Sequence, residues 1–542
     1  MTTDTGPRVI AVTGGGGGIG AAIAEELGRQ GAFVVTMDPL VSLDGSEDLP
    51  APEETTAGRI VAAGGSARAT SVSVTDGDAV RALFEELVAE HGRLDGVVNV
   101  AGITRPTGFA RGSEDDWRAV LAVHLDGYLN VLAAALPIMA AAGSGRILGV
   151  TSGSGWRAAD AGAYSCAKRA VAALTWQLGR VSPAGVSVNA MSPIAVTRMV
   201  TAALERMQGR SGGSSTGGLS LGSMPQPEEL GPFGAHLVGE DLGWCRGQVL
   251  FAGGPEVAVI EEPRLLEVLR TDDVPSLAHV LDATAGALES AEADQATSGA
   301  SNPRFGPVFD EPAVGDLPSA EVRTCAVVVH NADLARATIA ALEARGVTCH
   351  PIDPSEVAPG FPGAAGALTG VGPVDAVVVG LSGPVRAGGT TEWERVLVEH
   401  RGLPADIHAD AGWARAVADR AAAEDRPIRL ITATDAATSG GRSRAQSSAQ
   451  LARAARGATG DRVSALAVSV EGGRSGPVGE LVAHLVASPA SSGRSGAELV
   501  AGAGWLGLRS HPRPSASLSI GGSGVPDWLD DTLRRAIEGG AR

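Results

Sequence analysis

The sequence predicts an α/β protein of two tandem, doubly wound parallel sheets, each the centre of a three-layer α/β/α sandwich. Three observations predict it. Short continuous apolar runs alternate with amphipathic stretches of helical period, as in parallel strands covered by helices on both faces. The first such run leads into five consecutive glycines, Gly14 to Gly18, and then into a helix pattern. The pattern begins again after residue 320, where Trp393-x-x-Val396-Leu397-x-x-His400 repeats Trp117-x-x-Val120-Leu121-x-x-His124. At 542 residues the chain is in any case too long for one core.

Composition excludes several function classes. The net charge is −18 and no basic run occurs, which argues against nucleic acid and against anionic membrane surfaces. Cys166, Cys245, Cys325 and Cys349 are scattered, fit no metal-ligand spacing, and read as reduced thiols of a cytoplasmic protein. Met1 is followed almost directly by an apolar strand, with no charged-then-apolar leader. The longest apolar stretch, Tyr128 to Ala142, contains Asn130 and Pro137 and reads as a buried helix, too short to span a bilayer.

In order, Val9 to Val12 is a strand, Thr13 to Gly20 a glycine-rich turn, and Ala21 to Gln30 a helix. That succession makes a dinucleotide site, because glycines let the backbone approach a pyrophosphate and the helix N-terminus faces its charge. The second strand, Ala32 to Met37, ends at Asp38. An acid there accepts hydrogen bonds from the adenosine ribose and repels a 2′-phosphate. No arginine lies at positions 14–18 or just after Asp38, so NAD is favoured over NADP. Ala67 to Val74 reads as a third strand, Asp78 to His91 as an amphipathic helix, and Leu94 to Val100 as a fourth strand. A long helix from Trp117 to Ala142 carries His124; strands at Arg146 to Val150 and Val186 to Ala190 follow.

Between those last two strands lies Tyr164-Ser165-Cys166-Ala167-Lys168. Lys168 is the only lysine, and Tyr164 is one of two tyrosines. Four residues apart on a helix, they share a face. An ammonium there can hold a phenol's pKa down, so that the hydroxyl exchanges a proton near neutral pH. A Y-x-x-x-K match alone is equally a surface lysine; its setting decides between the two.

Together the glycine turn, Asp38, Asn99-Val100-Ala101-Gly102, Ser152 after the fifth strand, Tyr164/Lys168 and Pro193-x-x-x-Thr197 resemble the short-chain dehydrogenase/reductase family. The resemblance implies a Rossmann-like sheet of seven parallel strands, and it implies roles. Tyr164 would be the general acid/base. Lys168 would lower its pKa and hold the nicotinamide ribose, Ser152 would hold the substrate oxygen, and Thr197, after Pro193, the carboxamide. Thr13, Gly14, Gly18, Ile19 and Gly20 would line the pyrophosphate; Val74, Asn99, Ala101 and Gly102 would line the adenosine side. The sequence departs from the family pattern at Val100, Ile194 and Ser73, and at His124, which stands where the family has an asparagine of its proton relay. His124 keeps the backbone carbonyl of that relay and is expected either to join it through the imidazole or to pack on a helix face. Ser154 competes weakly with Ser152. Asp38 with Ser42 to Ser46, Val123-His124-Leu125 and Gly247 to Val259 are similar to the dehydrogenase unit of the peroxisomal multifunctional enzyme, which acts on 3-hydroxyacyl thioesters.

The expected organisation is a catalytic domain over 1–288 with a Gly/Ser-rich substrate lid at about 200–225, a linker over 289–320, and a degenerate second copy over 321–542. In that copy Asn331-Ala332-Asp333 replaces the glycine turn, and Gln446-Ser447-Ser448-Ala449-Gln450 stands in place of the Tyr164–Lys168 segment. Glutamine trades no proton at neutral pH. The copy is expected to be folded and non-catalytic, and to satisfy within one chain the helix pairing of the family. Two chains would then form a homodimer that mimics a tetramer; a carrier-protein docking surface is the alternative. The expected activity is NAD(H)-dependent oxidoreduction of a small molecule, a 3-oxoacyl or 3-hydroxyacyl thioester on coenzyme A or a carrier protein. A steroid or polyketide-type ketone, or a non-catalytic NAD-binding scaffold, are the rivals.

Overall fold

A computed structural model describes residues 6–201, 224–271, 277–293, 295, 322–383, 391–522 and 524–540. The expected lid, about 200–225, falls almost wholly outside the described residues, as does most of the expected linker. The strands are β1 (Val9–Thr13), β2 (Phe33–Met37), β3 (Ser66–Thr70), β4 (Gly96–Asn99), β5 (Gly145–Val150), β6 (Val186–Pro193), β7 (Val249–Gly253), β8 (Glu256–Ile260) and β9 (Leu265–Arg270). After them come β10 (Thr324–Val329), β11 (Thr348–Pro351), β12 (Ala376–Leu381), β13 (Ile428–Asp435), β14 (Val463–Val470), β15 (Glu498–Gly502), β16 (Trp505–Arg509) and β17 (Pro514–Ser519).

The first sheet runs β17-β8-β7-β6-β5-β4-β1-β2-β3, and the second β11-β10-β12-β13-β14-β15-β16-β9. β1 to β7 are mutually parallel, as the seven-strand expectation requires, and β8 and β17 add an antiparallel edge. From β10 to β16 the second sheet repeats the first, without a counterpart of β3. β1 and β10 are buried almost throughout, because helices cover both faces of each sheet. Asp95 shows how far the repetition extends: its carboxylate accepts from Val9 N–H at 2.8 Å, and Asp375 accepts from Thr324 N–H at 2.9 Å.

The division of the chain differs from the expected cut at residue 288. β9 leaves the first half and pairs with β16, while β17 leaves the second half and pairs with β8. Each hairpin, β7–β8 and β15–β16, would otherwise end in an open edge, and the exchanged strand covers it. The exchange extends to helices. Leu529 and Leu533 of Leu529–Gly540 join the core of the first sheet, and Leu281 and Leu288 of Leu277–Ala293 join that of the second. The segment expected to begin as linker at residue 289 is therefore still helix up to Ala293.

The halves pack through helices Ala163–Val181 and Ser439–Thr459. One core cluster passes through both, joining Trp117, Leu125 and Leu174 to Trp393, Ile407 and Leu451. At the centre Ser447 Oγ donates to Cys166 O at 3.1 Å, and Gln177 Nε2 donates to Ser443 Oγ at 2.9 Å. The two halves of this chain thus pack helix against helix. Helix Leu529–Gly540 closes the first domain, so Leu533→Ala is expected to lower stability by about 2–5 kcal/mol in denaturant melts, as for other buried leucines. An unchanged midpoint would show that the first domain does not depend on this returning segment.

Candidate active site

The site forms at the carboxyl ends of β1, β4, β5 and β6, where the parallel sheet opens. The glycine turn comes first. Gly14 and Gly18 have φ of +62° and +54°, which favour glycine. A Cβ on Gly14 would lie 2.9 Å from Ala101 N, and one on Gly16 would lie 2.5 Å from Asp38 Oδ2. The helix Gly18–Arg29 starts at Gly17 with no side-chain cap, so its first N–H groups remain available to an anion. Asp38 Oδ2 accepts from Gly16 N–H at 3.1 Å and Oδ1 from Leu40 N–H at 3.0 Å, which fixes the carboxylate at the lip of the turn.

Several expected cofactor residues act one step removed. Thr13 is fully buried; its hydroxyl donates to Asn99 Oδ1 at 3.0 Å and accepts from Val100 and Ala101 N–H at 3.1 Å. Thr13 and Asn99 therefore brace the ends of β1 and β4 against each other, with their polar atoms spent on protein. Val74 is a core residue that faces Gly127, and its carbonyl accepts from Asn130. Thr197 lies beside Gly18, with Oγ1 accepting from Val200 N–H at 3.3 Å. Next to it stands a residue that the sequence reading missed: the exposed Arg198 brings an NH2 to 3.7 Å from the Cβ position of Gly17. Its cation lies beside the glycine turn although 180 residues separate them.

Tyr164 opens helix Ala163–Val181, and Ser152 ends the segment after β5. The Ser152 hydroxyl lies close enough to that of Tyr164 to act on its ionisation. Ser152 Oγ also accepts from Ser154 N–H at 3.2 Å, so Ser154 supports Ser152 through its backbone. Lys168 is 3 % exposed, donates from Nζ to Val150 O at 2.6 Å, and lies 5.7 Å from the centre of the Tyr164 ring. It is therefore a buried site lysine and not a surface one. Burial pushes its ammonium down to about 7. Burial pushes the Tyr164 phenol up, and what opposes this is the Ser152 hydroxyl and then the Arg157 guanidinium. The expectation names Lys168 for that lowering, and Arg157 was not among the expected site residues.

His124 sits in a π-turn, Ala122–Asp126, between helices Glu114–Leu121 and Gly127–Ala142. Its ring meets that of Tyr164 edge-on, with centroids 4.9 Å apart. Nε2 lies 2.8 Å from Ile103 O, while Nδ1 is buried without a partner. Burial, followed by the nearby Lys168 charge, pushes the imidazole down to about 3, so the ring is neutral and holds Tyr164 and the Gly102-Ile103 backbone in place. A Cβ on Gly102 would lie 2.5 Å from His124 Cε1, so the histidine and the glycine depend on each other.

In the second domain the corresponding places are closed. Asn331 Oδ1 caps its helix by accepting from Asp333 and Leu334 N–H, at 3.0 Å each. Gln446 donates to Glu498 and accepts from Arg169, and Gln450 donates to Ser154 O at 3.1 Å and Arg157 O at 2.7 Å. Both glutamines serve the interface, and Gln450 holds the loop that follows Ser152 in the first domain.

With this geometry the comparisons agree. The short chain dehydrogenase family model matches residues 8–209. The chain is 34 % identical over 251 residues to the short-chain reductase protein NovJ of Streptomyces niveus, covering 45 % of this chain and 92 % of that protein. It is 31 % identical over 250 residues to nodulation protein G of Azospirillum brasilense, covering 46 % and 97 %. To the peroxisomal hydratase-dehydrogenase-epimerase of Neurospora crassa it is 30 % identical over 259 residues, 47 % of this chain and 27 % of that protein. The site is that of a nucleotide-dependent oxidoreductase, and the chain belongs to the short-chain dehydrogenase/reductase family.

The state of Lys168 has a measurable consequence. Its folded value of about 7 lies below the ordinary 10.5. Folding then costs on the order of 5 kcal/mol at pH below about 7, and the cost fades as pH rises toward 10.5. Lys168→Met should therefore raise the melting temperature of the cofactor-free protein at pH 7, with the gain shrinking by pH 10. A variant that melts lower at pH 7 would show that the ammonium is favourably solvated.

Proposed function

We propose that this protein is an NAD(H)-dependent oxidoreductase that interconverts a secondary alcohol and a ketone. One observation carries the reading: a buried lysine lies 5.7 Å from the Tyr164 ring, at the sheet end that also carries Ser152 and the open glycine turn. The glycine turn and the helix N-terminus would hold the pyrophosphate, and Asp38 would hold the adenosine ribose. The nicotinamide, when bound, supplies or accepts the hydride. Ser152 orients the substrate oxygen. Tyr164 gives that oxygen its proton in reduction and removes it in oxidation. Lys168, poised near neutrality, replenishes the phenol. The relatives named 3-oxoacyl-[acyl-carrier-protein] reductase, from Thermotoga maritima, and acetoacetyl-CoA reductase, from Allochromatium vinosum, support a 3-oxoacyl or 3-hydroxyacyl thioester as the substrate class. The second domain is non-catalytic and braces the first.

Tyr164→Phe removes the transferable proton and leaves the ring. Turnover should fall by about 100- to 10,000-fold while NADH binding, followed by fluorescence, is retained. A variant with undiminished turnover would assign the acid to another group. Asp38→Asn removes the charge that repels a 2′-phosphate. It should shift the ratio of kcat/KM for NADPH over NADH upward by about tenfold or more; an unmoved ratio would mean that Asp38 does not read the ribose.

A further inference from the structure

We propose that Gln450, a residue of the second domain, is a positioning residue for the site in the first: it sets where the Ser152 hydroxyl lies relative to Tyr164. This inference rests on the oxidoreductase reading above and adds to it a residue that acts through Ser152 and not on the substrate.

Ser152 and Tyr164 reach the site on different elements, one on the turn after β5 and the other on helix Ala163–Val181. Their spacing depends on what holds turn and helix together. Within the first domain, Thr151 Oγ1 donates to Lys168 O at 2.7 Å, and Trp156 Nε1 donates to Ser192 Oγ at 3.0 Å. Gly155 lets the turn lie directly on the Tyr164 helix, since a Cβ there would be 2.8 Å from Lys168 C. The second domain meets the carbonyls of the same turn. Gln450 Nε2 donates to Ser154 O at 3.1 Å and to Arg157 O at 2.7 Å, and Arg453 Nη1 donates to Trp156 O at 2.9 Å.

Gln450 is suited to this by its place. Helix Ser439–Thr459 carries Ser447 three residues before it, on the same face. Ser447 Oγ donates to the carbonyl of Cys166, two residues beyond Tyr164, at 3.1 Å. One helix of the second domain thus holds both the Tyr164 helix and the Ser152 turn. Gln450 is 1 % exposed. Its amide N–H groups are spent on the turn carbonyls, while its Oε1 is buried without a partner. The amide cannot turn over, since that would set its oxygen against two carbonyl oxygens. The hold passes to Ser152 through Ser154: the residue whose carbonyl Gln450 meets donates its own N–H to Ser152 Oγ at 3.2 Å. A displacement of about 1 Å at a reacting group costs about 100-fold in rate, so a glutamine outside the site can govern turnover.

Gln450→Met keeps the approximate length of the side chain and removes both donors; Gln450→Asn keeps an amide too short to reach. In the full-length protein either should lower kcat for reduction of acetoacetyl-CoA by about 10- to 100-fold, with NADH affinity retained. In a Ser152→Ala background the same substitutions should cost less than about threefold, because the hydroxyl they position is gone. An equal cost in both backgrounds, or full activity of Gln450→Met, would overturn the proposal. Gln177→Met, which loses the bond to Ser443 across the same interface, should leave kcat unchanged. A fall matching that of Gln450→Met would show that any weakening of the interface suffices, and would also overturn it. Amide hydrogen exchange over residues 152–157, read by mass spectrometry without substrate, separates this inference from the one it rests on. Faster exchange there in Gln450→Met, in a protein that reduces nothing, would uphold the hold on the turn and sink the oxidoreductase reading. Unchanged exchange would sink the role of Gln450.

Discussion

The structure depends on the burial of one helix from two sides. Of the nineteen residues of Ala163–Val181, a run from Ser165 to Leu178 is buried without interruption. A helix on the face of a sheet normally leaves a polar stripe in water. Here that stripe lies against Ser439–Thr459, and it brings Arg169 with it, at 0 % exposure. A guanidinium taken that far from water must be paired. Gln446 and Glu498 supply the pairing: Gln446 accepts from Arg169 at 2.6 Å and donates to Glu498 at 2.7 Å. Glu498 in turn meets Ser469 and Arg509. The second domain supplies this pairing from Gln446, in the segment that also carries Gln450.

The same dependence accounts for the exchange of strands. The helix is buried from both sides, and each half likewise completes the edge of the other's sheet. The pairing of β17 with β8 joins residues about 260 positions apart, as Ser517 with Ala258. Such contacts bear a large loop-closure cost before they are rewarded.

Much of this could be read from the amino acids, because the signals were local. Val9–Thr13, the glycine turn and Asp38 are neighbours in sequence, and Tyr164 and Lys168 lie one helical turn apart. The duplicated halves were visible in the Trp-x-x-Val-Leu-x-x-His repeat, although its two histidines now do different work: His124 bonds the Ile103 backbone, and His400 bonds Ser443. What escaped the sequence was non-local. Arg198 was unremarkable in a chain whose other long cations are nearly all arginines, and only the packing at Gly17 shows what it faces. Thr13 and Val74 sit at family positions but turn inward. The paths of β9 and β17 could not be read because a six-residue strand carries no information about which sheet it will join.

The electrostatics of the site follow from the same burial. Around the phenol, the imidazole of His124 is neutral, and Lys168 hovers near the point where it loses its charge. Tyr164 itself is pushed toward staying protonated. Of these neighbours, Arg157, lowered only to about 10 by burial, is the one whose charge stays fixed across the physiological range. The resting site is thus arranged as a proton donor under a fixed positive field, with a second, titratable cation behind it. A field of that sign favours negative charge on a neighbouring oxygen. The Arg157 side chain stands on a turn whose backbone carbonyls are held by Gln450 and Arg453 of the second domain.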